Sequence, residues 1–328
     1  MPHGPLIDVH QHPIPEHYKR ALASVGIGGS GENPWAQWSE AEQLELMDQT
    51  GIAAAVNSIA SPGVYFGDVD FAVRLARECN EGSARMVADH PHRFGAFAIL
   101  PLPAVDAAIR EAEHALDVLK LEGICLLTHV GDRHLGQSED DELYAELDRR
   151  KTVVFMHPLR NQATNMPAYS YPSGMTELVL DTTRAIHNLL WKGTFGRFPN
   201  IRWIMPHGGG TVPYLVYRMS AMNNKPPVAA NLPGGSVASA LRRLYYDVAE
   251  ICAPAPLKCL MEIADPSRIM FGSDFPFSRH RTPKDDVKSH ILAFEQFDGW
   301  NPATRRKIES ENALRLFPRL ANALSQKS

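Results

Sequence analysis

Leu6-Ile7-Asp8-Val9-His10-Gln11-His12-Pro13 decides how this chain is to be read. Leu-Ile-Asp-Val reads as a short buried strand, and His10-Gln11-His12-Pro13 as its polar exit. In an extended chain, residues i and i+2 point the same way, so His10 and His12 project side by side from one strand end. Two neutral imidazoles at that spacing can share one metal ion. A chain with 14 His contains some such pairs by chance. This pair is set apart by its place, closing an apolar strand near the N-terminus, with Asp8 two residues ahead of the first His. Two ligands do not make a tight site, so the others must come from the ends of other strands.

Working outward, the chain alternates strand and helix. After the first strand, a Gly-, Pro- and Ser-rich stretch over 13–38 reads as a small insertion across the active-site face, too long for a turn and too polar for core. Ser39-Glu40-Ala41-Glu42 then has the signature of a helix N-cap with acids in its first turn. Strands are expected over 52–59, 93–100, 123–127, 152–157, 201–207, 244–249 and 268–274. Helices are expected over 68–90, 104–119, 138–150, 176–192, 212–222 and 255–264, with extra C-terminal helices over 284–297 and 302–317. Most of the strands are near-continuous apolar runs, as in a parallel sheet covered on both sides. No Gly-x-Gly-x-x-Gly turn follows the first strand, which tells against a doubly wound nucleotide-binding sheet. Eight strands fit an α/β fold of the (β/α)8 TIM-barrel kind, which needs about 250 residues. The 328 residues are therefore expected to form a single barrel domain spanning 1–328.

Composition bounds the function. With 44% apolar and 21% charged residues and a net charge of −4, the chain offers no basic face for nucleic acid or for an anionic membrane. Nothing approaches the roughly 18 apolar residues of a membrane helix. The first residues show no leader pattern. Cys79, Cys125, Cys252 and Cys259 are scattered without ligand spacing, as small buried hydrophobes would be in a reducing cytoplasm, the expected location.

The strand ends carry the chemistry. The first strand ends in His10 and His12, the fifth in His157, the sixth in His207 and the eighth in Asp274. Four of eight strands thus place a metal-ligand type at one register, and a barrel gathers such residues at its C-terminal face. The economical reading is one metal ion held by His10, His12, His157 and Asp274, with a position left for water or substrate. The fourth strand, Glu122 to Leu127, has no Lys that could be carbamylated to bridge a second ion; the nearest polar residues are Thr128 and His129. His207 is then free for proton transfer, a fifth-ligand role being the alternative. Gly208-Gly209-Gly210 after it would let the backbone pass close to a substrate.

With these residues assembled, the chain resembles the amidohydrolase superfamily, and within it the aminocarboxymuconate-semialdehyde-decarboxylase-like branch. The resemblance runs from Asp8-Val9-His10-Gln11-His12 to Phe271-Gly272-Ser273-Asp274-Phe275-Pro276, and the segment from Arg197 to Gly210 is similarly typical. Leu180-Asp181-Thr182-Thr183-Arg184-Ala185 and Ser61-Pro62-Gly63 look most like the 6-methylsalicylate decarboxylases. The resemblance implies a single Zn2+ or Mn2+ on His10, His12, His157 and Asp274, and non-oxidative loss of CO2 from an aromatic or muconate-type acid. Asp274 would donate the proton, or His207 would deprotonate bound water. Arg218 lies where relatives carry an Arg that reaches a neighbouring subunit, which implies a homodimer or higher homo-oligomer. The second strand's end, Asn57-Ser58-Ile59-Ala60-Ser61-Pro62, lacks the Arg used on a second carboxylate, which favours a monocarboxylic hydroxybenzoate of the salicylate type. Around the mouth, Phe66, Tyr169, Tyr171, Trp191 and Phe275 are candidates to stack on the ring, and Arg160 and His129 to bind the carboxylate. The competing readings are a hydrolase of a lactone, ester or amide, a hydratase, and a barrel without activity; the complete ligand set stands against the last.

Overall fold

A computed structural model of the protein describes residues 5–30, 33–159, 171–277 and 282–326. Eight parallel strands form the inner wall: β1 (Leu6–Gln11), β2 (Ile52–Ser58), β3 (Phe94–Ile99), β4 (Gly123–Leu127), β5 (Val153–His157), β6 (Arg202–Met205), β7 (Tyr245–Asp247) and β8 (Ile269–Met270). Each pairs with the next in chain order. The ring closes between the two ends of the chain: Val9 N donates to Phe271 O, Asp274 N to His10 O and His12 N to Phe275 O, at 2.7–3.0 Å. The fold is therefore the (β/α)8 barrel that the alternation implied.

Helices follow the strands: α1 (Glu40–Thr50), α2 (Val69–Asp89), α3 (Val105–Glu113), α4 (Asp141–Arg149), α5 (Glu177–Trp191), α6 (Val212–Met219), α7 (Pro254–Ile263) and α8 (Pro283–Gln296). Local sequence sets several of their ends. The Ser39 hydroxyl accepts from Glu42 N at the start of α1, and Gly51 ends that helix with φ 74°, a conformation that costs glycine little. Asp68 and Thr282 cap α2 and α8 in the same way.

Two apolar layers follow from strand alternation. Ile7, Val9, Val56, Phe97, Phe155, Ile204 and Met270 fill the barrel, and Leu316, Phe317 and Leu320 of the last helices close it from below. Phe97 stacks on Phe155 at 5.3 Å. The second layer lies between strands and helices. Several elements are shorter than the apolar runs predicted. β7 and β8 keep three and two residues; after β8, Gly272-Ser273-Asp274 leaves the ladder and turns inward. The 13–38 segment holds a short helix, Glu16–Ala23, whose Tyr18 and Leu22 pack with Ala72 and Leu75 of α2. A two-stranded ribbon after β4, His129–Val130 with Arg133–His134, was not expected from the sequence.

Candidate metal centre and active site

The polar residues at the strand ends converge directly above Phe155, whose ring lies 4.9 Å from that of His10. His10, His12, His157 and Asp274 are all buried, and their ligand atoms lie within 4.8 Å of one another. Hydrogen bonds outside the cluster fix which ring nitrogen is free. His12 Nδ1 stands 3.0 Å from Ser58 O and His157 Nδ1 2.8 Å from Pro158 O; carbonyls only accept, so both rings carry their proton on Nδ1. His10 Nδ1 lies 2.8 Å from Asp247 Oδ2 and is assigned the same way. In their neutral forms all three rings therefore present Nε2 lone pairs, and these buried atoms have no hydrogen-bond partner. Asp274 Oδ1 stands 3.3 Å from His10 Nε2 and 3.1 Å from His12 Nε2. Three imidazole lone pairs and a carboxylate aimed at one point fit a divalent cation.

The charges agree. Burial alone would push His10 down, but the carboxylates of Asp247 and Asp274 outweigh it and hold the ring up at about 10. Burial works against ionising Asp274 as well, yet His10, His12 and His207 around it hold its carboxyl well below the usual range. His157, buried beside His12 and His10, is held far below the ordinary imidazole range. In the absence of metal, the cluster thus concentrates its proton on His10. A cation would replace it.

Backbone geometry is unusual at two of these positions. Asp274 has φ 65° and His207 φ 52°, the left-handed region that non-glycine residues avoid. Gly272 makes the turn at Asp274 possible, since a Cβ there would fall 2.8 Å from His10 Cβ and 3.1 Å from Asp247 Cβ. His207 Nε2 reaches Asp274 Oδ2 at 3.3 Å, and its Nδ1 is buried without a hydrogen-bond partner. His207 stands against the ligand set through Asp274, outside the four.

Two residues were missed in the sequence. Asp247, at the end of β7, accepts from His10 Nδ1, from His207 N at 2.9 Å and from Ala249 N at 3.0 Å, so one buried carboxylate orients a ligand and the proton-transfer candidate. An acid at the ligand register of the seventh strand was the available signal. Phe277 is the second: its ring lies 5.5 Å from His12, whereas Phe275 packs into the core at 4% exposure. Asp8 ties the seam by accepting from His10 N, Gln11 Nε2 and Ser273 N.

The remaining candidates are distributed as follows. His129 is buried, donates from Nδ1 to Asp181 at 3.1 Å, and lines an apolar cavity at the strand ends with Val64, Ile99, Leu102, Leu127 and Leu159. Arg218 is exposed on α6, one residue after Tyr217. Trp191, expected at the mouth, ends α5 at 48% exposure and lines a surface groove with Asp132, Gln137 and Arg184, away from the ligand cluster. Phe66 packs near Phe71 in the α2 layer, and Tyr171 is exposed. Arg160 and Tyr169 lie outside the described residues.

A family profile described as Amidohydrolase matches residues 7–319. The chain belongs to the amidohydrolase family. Among curated relatives of this amidohydrolase, the 6-methylsalicylic acid decarboxylase of Penicillium expansum is 33% identical over 326 residues, covering 98% of each chain. The 6-methylsalicylic acid decarboxylase of Aspergillus aculeatus is also 33% identical, over 97% of each chain. A solved structure titled Amidohydrorolase II superposes with a TM-score of 0.87 at 27% identity, covering 95% of this chain and 99% of the other. These relatives put the amidohydrolase in the decarboxylase branch, among carbon–carbon lyases. No helix of the described residues is long and apolar enough to cross a membrane.

Proposed function

We propose that the protein is a metal-dependent, non-oxidative decarboxylase of an aromatic acid of the hydroxybenzoate or salicylate type. The observation that carries this reading is the joint presence of the convergent His10, His12, His157 and Asp274 set and the His207–Asp274 pair, in a chain matched end to end by decarboxylases. A Zn2+ or Mn2+ ion on those four residues would supply a Lewis acid that fixes the carboxylate and its neighbouring hydroxyl. Around it, the chain's own residues do the rest. Asp274 and His207, in contact through Oδ2 and Nε2, pass the proton that is delivered to the carboxyl-bearing ring carbon. The bond to the carboxyl carbon then breaks, CO2 leaves, and the electron pair returns to the ring. Asp247 holds His10 and the His207 backbone in place while this happens.

The cavity beside the site favours an apolar ring substituent over a second carboxylate, because its lining contains no Arg or Lys among the described residues. His129 is the polar side chain that lines it, and Phe277, whose ring lies 5.5 Å from that of His12, borders the metal side. Arg218, with Tyr214 and Tyr217 at 82% and 87% exposure on the same helix, supports a homodimer in which α6 meets a second copy. The four free thiols fit a reducing cytoplasm.

The test is CO2 release from a panel of hydroxybenzoates, 6-methylsalicylate among them, by protein reconstituted with Zn2+ or Mn2+. Release that stops on chelation and in His157→Ala is expected. Folded, metal-loaded protein that releases none would overturn the reading in favour of a hydrolase, with lactones and esters as the next panel.

A further inference from the structure

Beyond the central cluster, the described residues hold a second group arranged like metal ligands: His129, His134 and Asp181, with ligand atoms within 4.8 Å of one another. His129 and His134 are a cross-strand pair of the ribbon after β4, their rings 5.3 Å apart. Asp181 comes from α5 and is fully buried. Its two oxygens are treated very differently. Oδ2 accepts from the Thr128 hydroxyl, from His129 Nδ1 at 3.1 Å and from Leu159 N at 3.3 Å. Oδ1 is buried with no hydrogen-bond partner, and stands 3.8 Å from His134 Nε2.

What lies between those two atoms is a mismatch. His134 Nδ1 faces the Thr128 carbonyl at 3.3 Å, and a carbonyl can only accept, so Nδ1 carries the proton and Nε2 a lone pair. A buried carboxylate oxygen and an imidazole lone pair then face each other, acceptor against acceptor. Something positive belongs between them.

We propose that His129, His134 and Asp181 form a second site, on the rim of the barrel, for a divalent transition cation of the zinc class. Two imidazoles and one carboxylate, with a fourth position for water, are a donor set that zinc accepts. Tetrahedral bonds of 2.0–2.2 Å place neighbouring ligand atoms about 3.4 Å apart. His129 Nδ1 stands 3.1 Å from Asp181 Oδ2 and His134 Nε2 3.8 Å from Oδ1, and one ligand atom from each of the three residues lies within 4.8 Å of the others, so small side-chain rotations bring them to that spacing. On binding, the proton of His129 moves from Nδ1 to Nε2, so the ring stays neutral while Nδ1 exchanges the carboxylate for the ion. His134, with a side chain 25% exposed, provides the way in from solvent.

The site is not isolated from the reaction centre. Thr128 N donates to His157 O at 2.9 Å, and Asp181 accepts from Leu159 N, so the cluster grips the backbone leaving His157 at two points. An ion held here therefore braces one ligand of the central metal without sharing a donor with it.

Chelator-stripped full-length protein, equilibrated by dialysis against Zn2+, is expected to hold two ions per chain by mass spectrometric metal counting. Diffraction at the zinc absorption edge is expected to place the second between His129, His134 and Asp181. His134→Ala should hold one. A single ion in the unmodified protein, a second ion located elsewhere, or two ions retained by His134→Ala would each overturn the proposal. Should His134→Ala not fold, the anomalous map of the unmodified protein decides alone. Metal counting does not depend on turnover, so its failure is distinct from failure of the decarboxylase reading.

Discussion

The two histidine–aspartate clusters are built from the same residue types yet differ in where their ring protons go. In the central cluster, every histidine spends Nδ1–H on an acceptor outside the group: Asp247, Ser58 O or Pro158 O. All three Nε2 atoms are left free and aimed inward. In the rim cluster, only His134 has such an outside partner, the Thr128 carbonyl, while His129 spends its proton on Asp181 itself. A cation entering the centre displaces one proton, that on His10, and leaves every outside Nδ1 hydrogen bond in place; one entering the rim must break the His129–Asp181 hydrogen bond. The lesson is that residue type and proximity make a candidate, and the direction of the Nδ1 hydrogen bonds decides how ready it is. At limiting metal, the centre should fill first.

That contrast can be broken or sharpened by substitution. The largest effect is expected from Asp274→Asn, which removes the negative charge the central histidines face. Metal affinity and CO2 release should both collapse, turnover by at least about 10³-fold, the scale of losing a group essential to proton transfer and charge stabilisation. A variant with near-normal activity and full metal content would sink the ligand assignment. Asp247→Asn comes next: it keeps the shape of the side chain but weakens the acceptor that sets the His10 tautomer, and metal affinity should fall by about 10–100-fold. If affinity were unchanged, outside acceptors would not be what distinguishes the two clusters.

The smallest effect concerns His290 on α8, which packs against Phe271 just after β8. Burial holds His290, whose ring packs 5.5 Å from Phe271, down at about 4. Its folded value lies below the ordinary 6.5, so the stability it contributes is complete above pH 6.5 and is lost as pH falls towards 4. His290→Gln should make the acid limb of a plot of Tm against pH shallower by a few degrees. An unchanged slope would show that other buried groups carry the acid sensitivity.

The barrel and its central cluster were legible because two periodic signals coincide: an apolar run ending in a polar residue, repeated at β1, β5, β6 and the turn after β8. Supporting residues were harder to see. Asp247 ends the short strand Tyr245–Asp247, where an acid reads equally as an ordinary polar exit; only the fold shows it facing His10. His134 was invisible as a partner of His129, because the turn through Gly131 and Asp132 that folds one onto the other carries a weak signal in a polar stretch. Phe275 and Phe277 are two apart on a turn that is not a strand, so alternation gives no guide to which ring meets His12. Trp191 illustrates the converse, an aromatic in a helical pattern whose final residue turns to the surface.

The seam between β1 and the segment after β8 has a consequence for how the molecule comes into being. The hydrogen bonds that close the ring, Val9 to Phe271, His10 to Asp274 and His12 to Phe275, join residues more than 260 positions apart. Contacts of such sequence separation carry the greatest loop-closure cost and form late. A nascent chain that has emerged as far as β7 owns three of the four central ligands but no carboxylate and no closed ring. Metal capture would accordingly report that the ring has closed. The ion would then act as a clasp, fastening the first strand of the barrel to the turn that follows the eighth.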